Sequence, residues 1–194
     1  MPFLSEADRS SALQLARIAV VEAVSRRKLP AQIPKEGIFG ERRGVFVTLH
    51  LNGRLQGCIG VVQPHEPLGD AIVRCAASAA LEDPRFAPMR PEQLGSLGIE
   101  ISLLSPLAPI APEAVEIGRH GLLIELHAQR GLLLPQVAIE HHFSREQFLE
   151  ETCKKAHLRP QAWRDPEARL FGFTCEVFSE SSFHGKEEAS SKAE

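Results

Sequence analysis

Residues 45–51 of this chain read Val-Phe-Val-Thr-Leu-His-Leu, and Asn52-Gly53 follows at once. Alternation at every second residue is the period of a strand with one buried face. Asn-Gly after such a run is the strongest short-range sign of a β-hairpin. A hairpin commits the chain to antiparallel pairing, which excludes an all-parallel doubly wound sheet for this region. The return strand runs through Leu55-Gln56-Gly57-Cys58-Ile59-Gly60.

The register follows from burial. A two-residue loop pairs Leu51 with Arg54 and Val47 with Cys58, mixing apolar and polar residues on one face. A three-residue loop, Leu51-Asn52-Gly53 with Gly53 left-handed, pairs His50 with Arg54, Thr48 with Gln56 and Phe46 with Cys58. It gathers Val45, Val47, Leu49, Leu55 and Ile59 on the other face. A one-residue slip moves every side chain to the wrong side, so the three-residue loop is the expected register. Cys58, Gln56, Thr48, His50 and Arg54 then share a polar-leaning face.

Helices flank this hairpin. Ser5-Glu6-Ala7-Asp8 offers a capping-box-like start to a helix reaching about Leu29, with Leu13, Ala16, Val20 and Val24 at helical spacing. Pro67 opens a second helix whose stripe is Leu68, Ala71, Ile72, Cys75, Ala76 and Ala79. Pro84 ends it, and Ile99, Ile101 and Leu103 read as a strand. The second half repeats the order. Gly44–His50 lines up with Gly121–His127, Ser144 and Gln147 make a capping box, and Phe148, Leu149, Thr152, Cys153 and Ala156 form a stripe. Phe171, Phe173, Cys175 and Val177 read as one closing strand. The expectation is an α+β protein, mainly antiparallel sheet with flanking helices, in two closely packed subdomains from a hairpin-helix-strand duplication. The domain is placed at residues 5–180, with halves at 5–105 and 113–180. The Ser, Lys and Glu-rich segment 181–194 reads as a disordered tail.

Composition narrows the function. A net charge of −3 lacks the basic excess that nucleic-acid binders carry. No apolar run has the length of a membrane span, and the N-terminus does not resemble a signal peptide, so a cytoplasmic address is expected. The four cysteines, Cys58, Cys75, Cys153 and Cys175, form no C-x-x-C pair and read as reduced thiols. No phosphate-binding or dinucleotide-binding glycine motif occurs, and no cofactor is identified.

Cys58 is the residue that structure alone rarely demands, although a simply buried, structural thiol is the equal alternative. Glycines at 57 and 60 leave space beside the thiol, and glycine within a strand marks a bulge or a close approach to the backbone. A nucleophilic thiol needs a base or a cation nearby, and His50, His120 and Glu125 are the candidates. Glu125 and His127, at i and i+2 on one strand, have the spacing to reach a common ion, although a solvated sheet face is the commoner reading. Neighbouring His141 and His142 point apart on a helix. No metal site is assigned.

These residues carry a resemblance. Leu55-Gln56-Gly57-Cys58-Ile59-Gly60 is similar to the Leu-Arg-Gly-Cys-Ile-Gly hallmark of the AMMECR domain family, with Gln56 in place of the arginine. Phe46-Val47-Thr48, Ser78-Ala79-Ala80-Leu81 with Asp83 and Arg85-Phe86, and Ser102-Leu103-Leu104 match in order. So do His120-Gly121 with Ile124-Glu125, and Leu134-Pro135 with Val137-Ala138 and Glu140. The resemblance spans roughly residues 10–180. It implies an α+β fold in two packed subdomains and brings no assigned activity. It also implies an association with Memo-like and radical SAM proteins, as an AmmeMemoRadiSam system. The combined expectation is a small-molecule-binding or enzymatic site around Cys58, with His120 and Glu125 as catalytic partners and Gln56, Gly57, Gly60, Asp83 and Arg85 binding the ligand. The alternative is a non-catalytic protein-interaction module using the same surface.

Overall fold

The computed structural model describes residues 4–180; the tail expected at 181–194 lies outside them. In chain order the elements are α1 (Glu6–Arg26), β1 (Val45–Leu51), β2 (Arg54–Val61), α2 (Leu68–Leu81), β3 (Leu97–Leu104), β4 (Ala108–Pro109), β5 (Gly121–Leu126), β6 (Gln129–Leu133), α3 (Pro135–Glu140), α4 (Arg145–Lys155), β7 (Arg169–Phe173) and β8 (Cys175–Ser179). The strands form two four-stranded sheets, ordered β2-β1-β3-β8 and β4-β7-β5-β6. Both hairpins are antiparallel, as are the β1–β3 and β5–β7 pairs. The fold is α+β.

Two compact units divide the described residues, one of 4–103 with 176–180 and one of Leu104–Cys175. In the first, α1 begins at a capping box in which Ser5 Oγ accepts from the Asp8 N–H at 3.1 Å. Its buried stripe includes Ala12, Leu15, Ala16, Ala19, Val20 and Ala23. These small residues let α1 lie against α2, whose Leu68, Ala71, Ile72, Cys75, Ala76 and Ala79 are buried. Val45, Val47 and Leu49 of β1 and Ile99, Ile101 and Leu103 of β3 complete the core. In the second unit, Leu122, Phe148 and Leu149 form one core with Val115 and Ala138, and Ile124, Leu126, Cys153, Ala156 and Ala162 form another.

The structure corrects three readings. The turn after β1 has two residues, Asn52 and Gly53, because Leu51 pairs with Arg54. Both have positive φ, 50° and 79°, as a type I′ turn requires. The burial conflict is relieved by a β-bulge: His50 pairs with Leu55 and Leu49 with Gly57, so Gln56 is the extra residue. From there Thr48 faces Cys58 and Val47 faces Ile59. Leu55 leaves the core face and is 43% exposed, and Arg54 lies opposite Leu51, away from the Cys58 face. The strand expected from Phe171 through Val177 breaks at Thr174, its first part joining one sheet and its second part the other. Finally, His127 is not on a strand. It is the first residue of the second hairpin's turn, at φ 54°.

Candidate functional site

β2 is an edge strand. In an antiparallel pair, alternate residues of such a strand turn both N–H and C=O away from the partner, leaving them without ladder bonds. Cys58 is one of these residues, and the segment after α2 satisfies it. The Cys58 N–H donates to Asp83 Oδ2 at 2.9 Å, and Arg85 Nη2 donates to the Cys58 carbonyl at 3.3 Å. Asp83 and Arg85 grip each other through two side-chain bonds, Nε to Oδ1 at 3.0 Å and Nη2 to Oδ2 at 2.7 Å. The Arg85 N–H adds a bond to Asp83 Oδ1 at 3.1 Å. Gln56, pushed out by the bulge, donates from its side chain to the Ala87 carbonyl at 2.8 Å. Residues 83–87 are thereby tied to β2 at two points.

The electrostatics follow. The Asp83 side chain is 3% exposed, while that of Arg85 is 56% exposed. The Arg85 guanidinium, helped by the two N–H donors and opposed by burial, holds the Asp83 carboxyl far below the usual carboxylate range. Arg85 is raised in turn, mainly by Asp83, with the Cys58 sulfur also contributing through charge and a side-chain hydrogen bond. Cys58 is therefore a half-buried free thiol whose backbone N–H and carbonyl are both held by the Asp83–Arg85 pair.

Across the ladder, Thr48 Oγ1 donates to Cys58 Sγ at 3.3 Å. Opposed residues whose backbone groups turn outward bring their side chains closest, which explains the contact. Gly57 faces the helix side, where a Cβ would overlap the Ala79 carbonyl oxygen of α2. Gly60 sits under the ring of Phe46, which occupies the place of a side chain.

Of the residues expected from sequence, Gln56, Gly57, Cys58, Gly60, Asp83 and Arg85 gather around the middle of β2. His120 and Glu125 belong to the other unit and have partners there. His120 Nδ1 accepts from the Glu116 N–H at 3.0 Å, and Glu125 pairs with Arg130 and Arg169 at 3.4 and 2.9 Å. Thr48 as the direct neighbour of the sulfur was missed. Its signal was the bulge, which an Asn-Gly turn demands once Leu49 and Ile59 must both face the core. Among the described residues no cluster of three His, Cys, Asp or Glu is placed to hold a metal ion, and no helix is long and apolar enough to cross a membrane.

Cys175 is half-buried like Cys58, whereas Cys75 and Cys153 are buried. Burial pushes the Cys75 thiol up to about 11, and burial likewise raises Cys153.

Fold and site together define an α+β protein with an edge-strand thiol clamped by an Asp-Arg pair, and comparison with known proteins gives that class its family. Residues 13–178 match the family model described as AMMECR1. The chain belongs to the AMMECR1 family. It is 42% identical over 187 residues to a protein of Methanothermobacter thermautotrophicus, covering 91% of this chain and 96% of that one. A Thermococcus kodakarensis protein is 41% identical over 182 residues, covering 87% and 88%. The crystal structure of an uncharacterised protein from Pyrococcus horikoshii superposes with a TM-score of 0.81 at 36% identity, covering 92% of this chain and 94% of that one.

Proposed function

We propose that the middle of β2 is a small-molecule site and that the Cys58 sulfur is the group that meets the ligand. One observation carries this reading. The second hairpin has the same local register around its glycine, and there it places Leu123 opposite Leu132 where the first places Thr48 opposite Cys58. The frame is served by two leucines, so a hydroxyl and a thiol are an addition to it. Arg85 supplies a half-exposed cation suited to a polar or anionic ligand group.

The test is site-resolved alkylation of the native protein with iodoacetamide, read by mass spectrometry. Cys58 is expected to label first, and Cys75 and Cys153 only on unfolding. A low-molecular-mass extract of cells is expected to slow labelling at Cys58. Labelling of Cys58 as slow as that of Cys75, or unaffected by any small molecule, would sink the reading.

A second reading, a non-catalytic interaction module, is favoured by Leu55, which is 43% exposed on the same edge strand. Memo-like and radical SAM proteins are the partners it proposes. Leu55→Asp weakens such a complex on this reading, whereas Cys58→Ser leaves it intact.

A further inference from the structure

A groove of about 520 Å³ lies between the C-terminal end of α1 and the outer side of α2 in the first unit. Its volume falls in the range of small-ligand sites, roughly 300–1,000 Å³. Ala23, Ala77, Leu81 and Leu29 give it an apolar surface, and Arg27, Lys28 and Arg74 bring three cations to it against one carboxylate, Glu82. Two of those cations are engaged: Lys28 pairs with Glu22 at 3.3 Å and Arg74 with Glu66 at 2.6 Å. Among the described residues Arg27 has no carboxylate partner.

Arg27 is also one of five non-glycine residues of positive φ among the described residues, with Asn52, His127, His142 and His157. It caps α1 in the left-handed conformation, at φ 53° and ψ 37°, with its N–H bonded to the Ala23 carbonyl. Glycine is the residue that this position favours, because a Cβ is disfavoured there. A long cation kept in a glycine's place, over an apolar groove and without a carboxylate partner, carries a backbone cost, opposed inside the fold by the attraction of its charge to the C-terminal end of α1. Strain of this kind points to a site.

From this we infer that the α1–α2 groove binds a free amphipathic carboxylate, an alkyl or arylalkyl chain ending in one anionic group. The chain lies on Ala23, Ala77 and Leu81, and the carboxylate pairs with Arg27. This site shares no residue with the one around Cys58, so either stands without the other.

Octanoate is the probe, added to the full-length isotopically labelled protein and followed through backbone amide shifts. Saturable shifts are expected at the amides of Ala23, Ala77, Ser78 and Leu81, with an affinity of about a millimolar or tighter. Octylammonium, of equal length and opposite charge, is expected to bind at least about tenfold more weakly. Arg27→Gly separates binding from folding, since it suits the left-handed cap. It is expected to keep or raise the melting temperature while weakening octanoate at least about tenfold. Octanoate vesicles or micelles are avoided by working below aggregation, and binding seen only with lipid bilayers would overturn the free-ligand assignment. Absence of saturable shifts, equal binding of octylammonium, or unchanged affinity in Arg27→Gly would each overturn the inference.

Discussion

The two hairpins are built to one local plan and differ where it matters. In each, a leucine precedes a two-residue turn whose first residue is left-handed: Leu51 before Asn52 and Leu126 before His127. In each, the third pair back from the turn, on the core-facing side, sets a glycine against an aliphatic residue, Gly57 against Leu49 and Gly131 against Ile124. Both glycines lie where a helix end presses on the strand. A Cβ on Gly57 would overlap the Ala79 carbonyl, and one on Gly131 would overlap the Ala156 amide. The next pair is Thr48 with Cys58 in one hairpin and Leu123 with Leu132 in the other. Only the first has a bulge, and only its edge is closed by an Asp-Arg pair. The glycines are thus demands of packing, while the thiol and its surroundings are not.

The largest effect should come from the shared feature. Gly57→Ala and Gly131→Ala each force backbone to move, because the obstructing atoms are main-chain atoms of a helix end. Each is expected to lower stability by about 3 kcal/mol in urea unfolding. A loss at only one of them would break the equivalence of the two hairpins.

The clamp comes next. Asp83 accepts four hydrogen bonds, three of them from Arg85 and one from Cys58. Asp83→Asn should destabilise by about 2–3 kcal/mol at pH 7, since the charged acceptor is removed while Arg85 stays hydrated. The pH dependence has a definite sign. A carboxyl with a depressed folded-state pKa contributes in full above its unfolded value, about 4, and loses that contribution as the pH falls below it. Wild type should therefore lose stability between about pH 5 and pH 2 more steeply than Asp83→Asn. Parallel curves would show that the clamp does not sense charge.

How much of this was legible in the sequence depends on which force decides. Amphipathic periods and caps are local, so α1, α2, α4 and the antiparallel hairpins could be read directly from Ser5, Ser144 and the Val45–Leu51 alternation. The bulge was not legible by the same reasoning. Turn chemistry at Asn52-Gly53 and burial at Leu49 and Ile59 conflict in a regular ladder, and only an extra residue at Gln56 reconciles them. Helix α3 was missed because six residues show too little period. The gathering of Asp83 and Arg85 at Cys58 came from family resemblance; a contact spanning 25 residues of chain has no local signal. Arg27 had none either, because its conformation is a tertiary fact.

A middle-sized effect tests the difference itself. Replacing Thr48 and Cys58 together by leucine gives the first hairpin the apolar pair of the second. If the hydroxyl and thiol serve a ligand, the double variant should stay within about 1 kcal/mol of wild type, since two half-buried positions gain apolar area. It should also lose the rapid alkylation expected at position 58. A loss of several kcal/mol would mean that the Thr48–Cys58 contact is structural.

The smallest effect lies in the second turn. His127 is left-handed at φ 54°, and Ala128 after it is not among the residues of positive φ. That is the pattern of a type II′ turn, which favours glycine at its first central position. The imidazole's contact with Glu167, at 3.7 Å between two side chains more than 70% exposed, is of the kind that contributes little. His127→Gly removes the left-handed penalty, about 1 kcal/mol, and adds back some unfolded-state freedom. The expected net is a stabilisation of about 0.5 kcal/mol, seen as a higher urea midpoint with an unchanged slope. Asn52→Gly should do less, because asparagine already tolerates this conformation. Should His127→Gly instead destabilise while Asn52→Gly does not, the two turns would differ in what holds them, and the comparison would end at the strands.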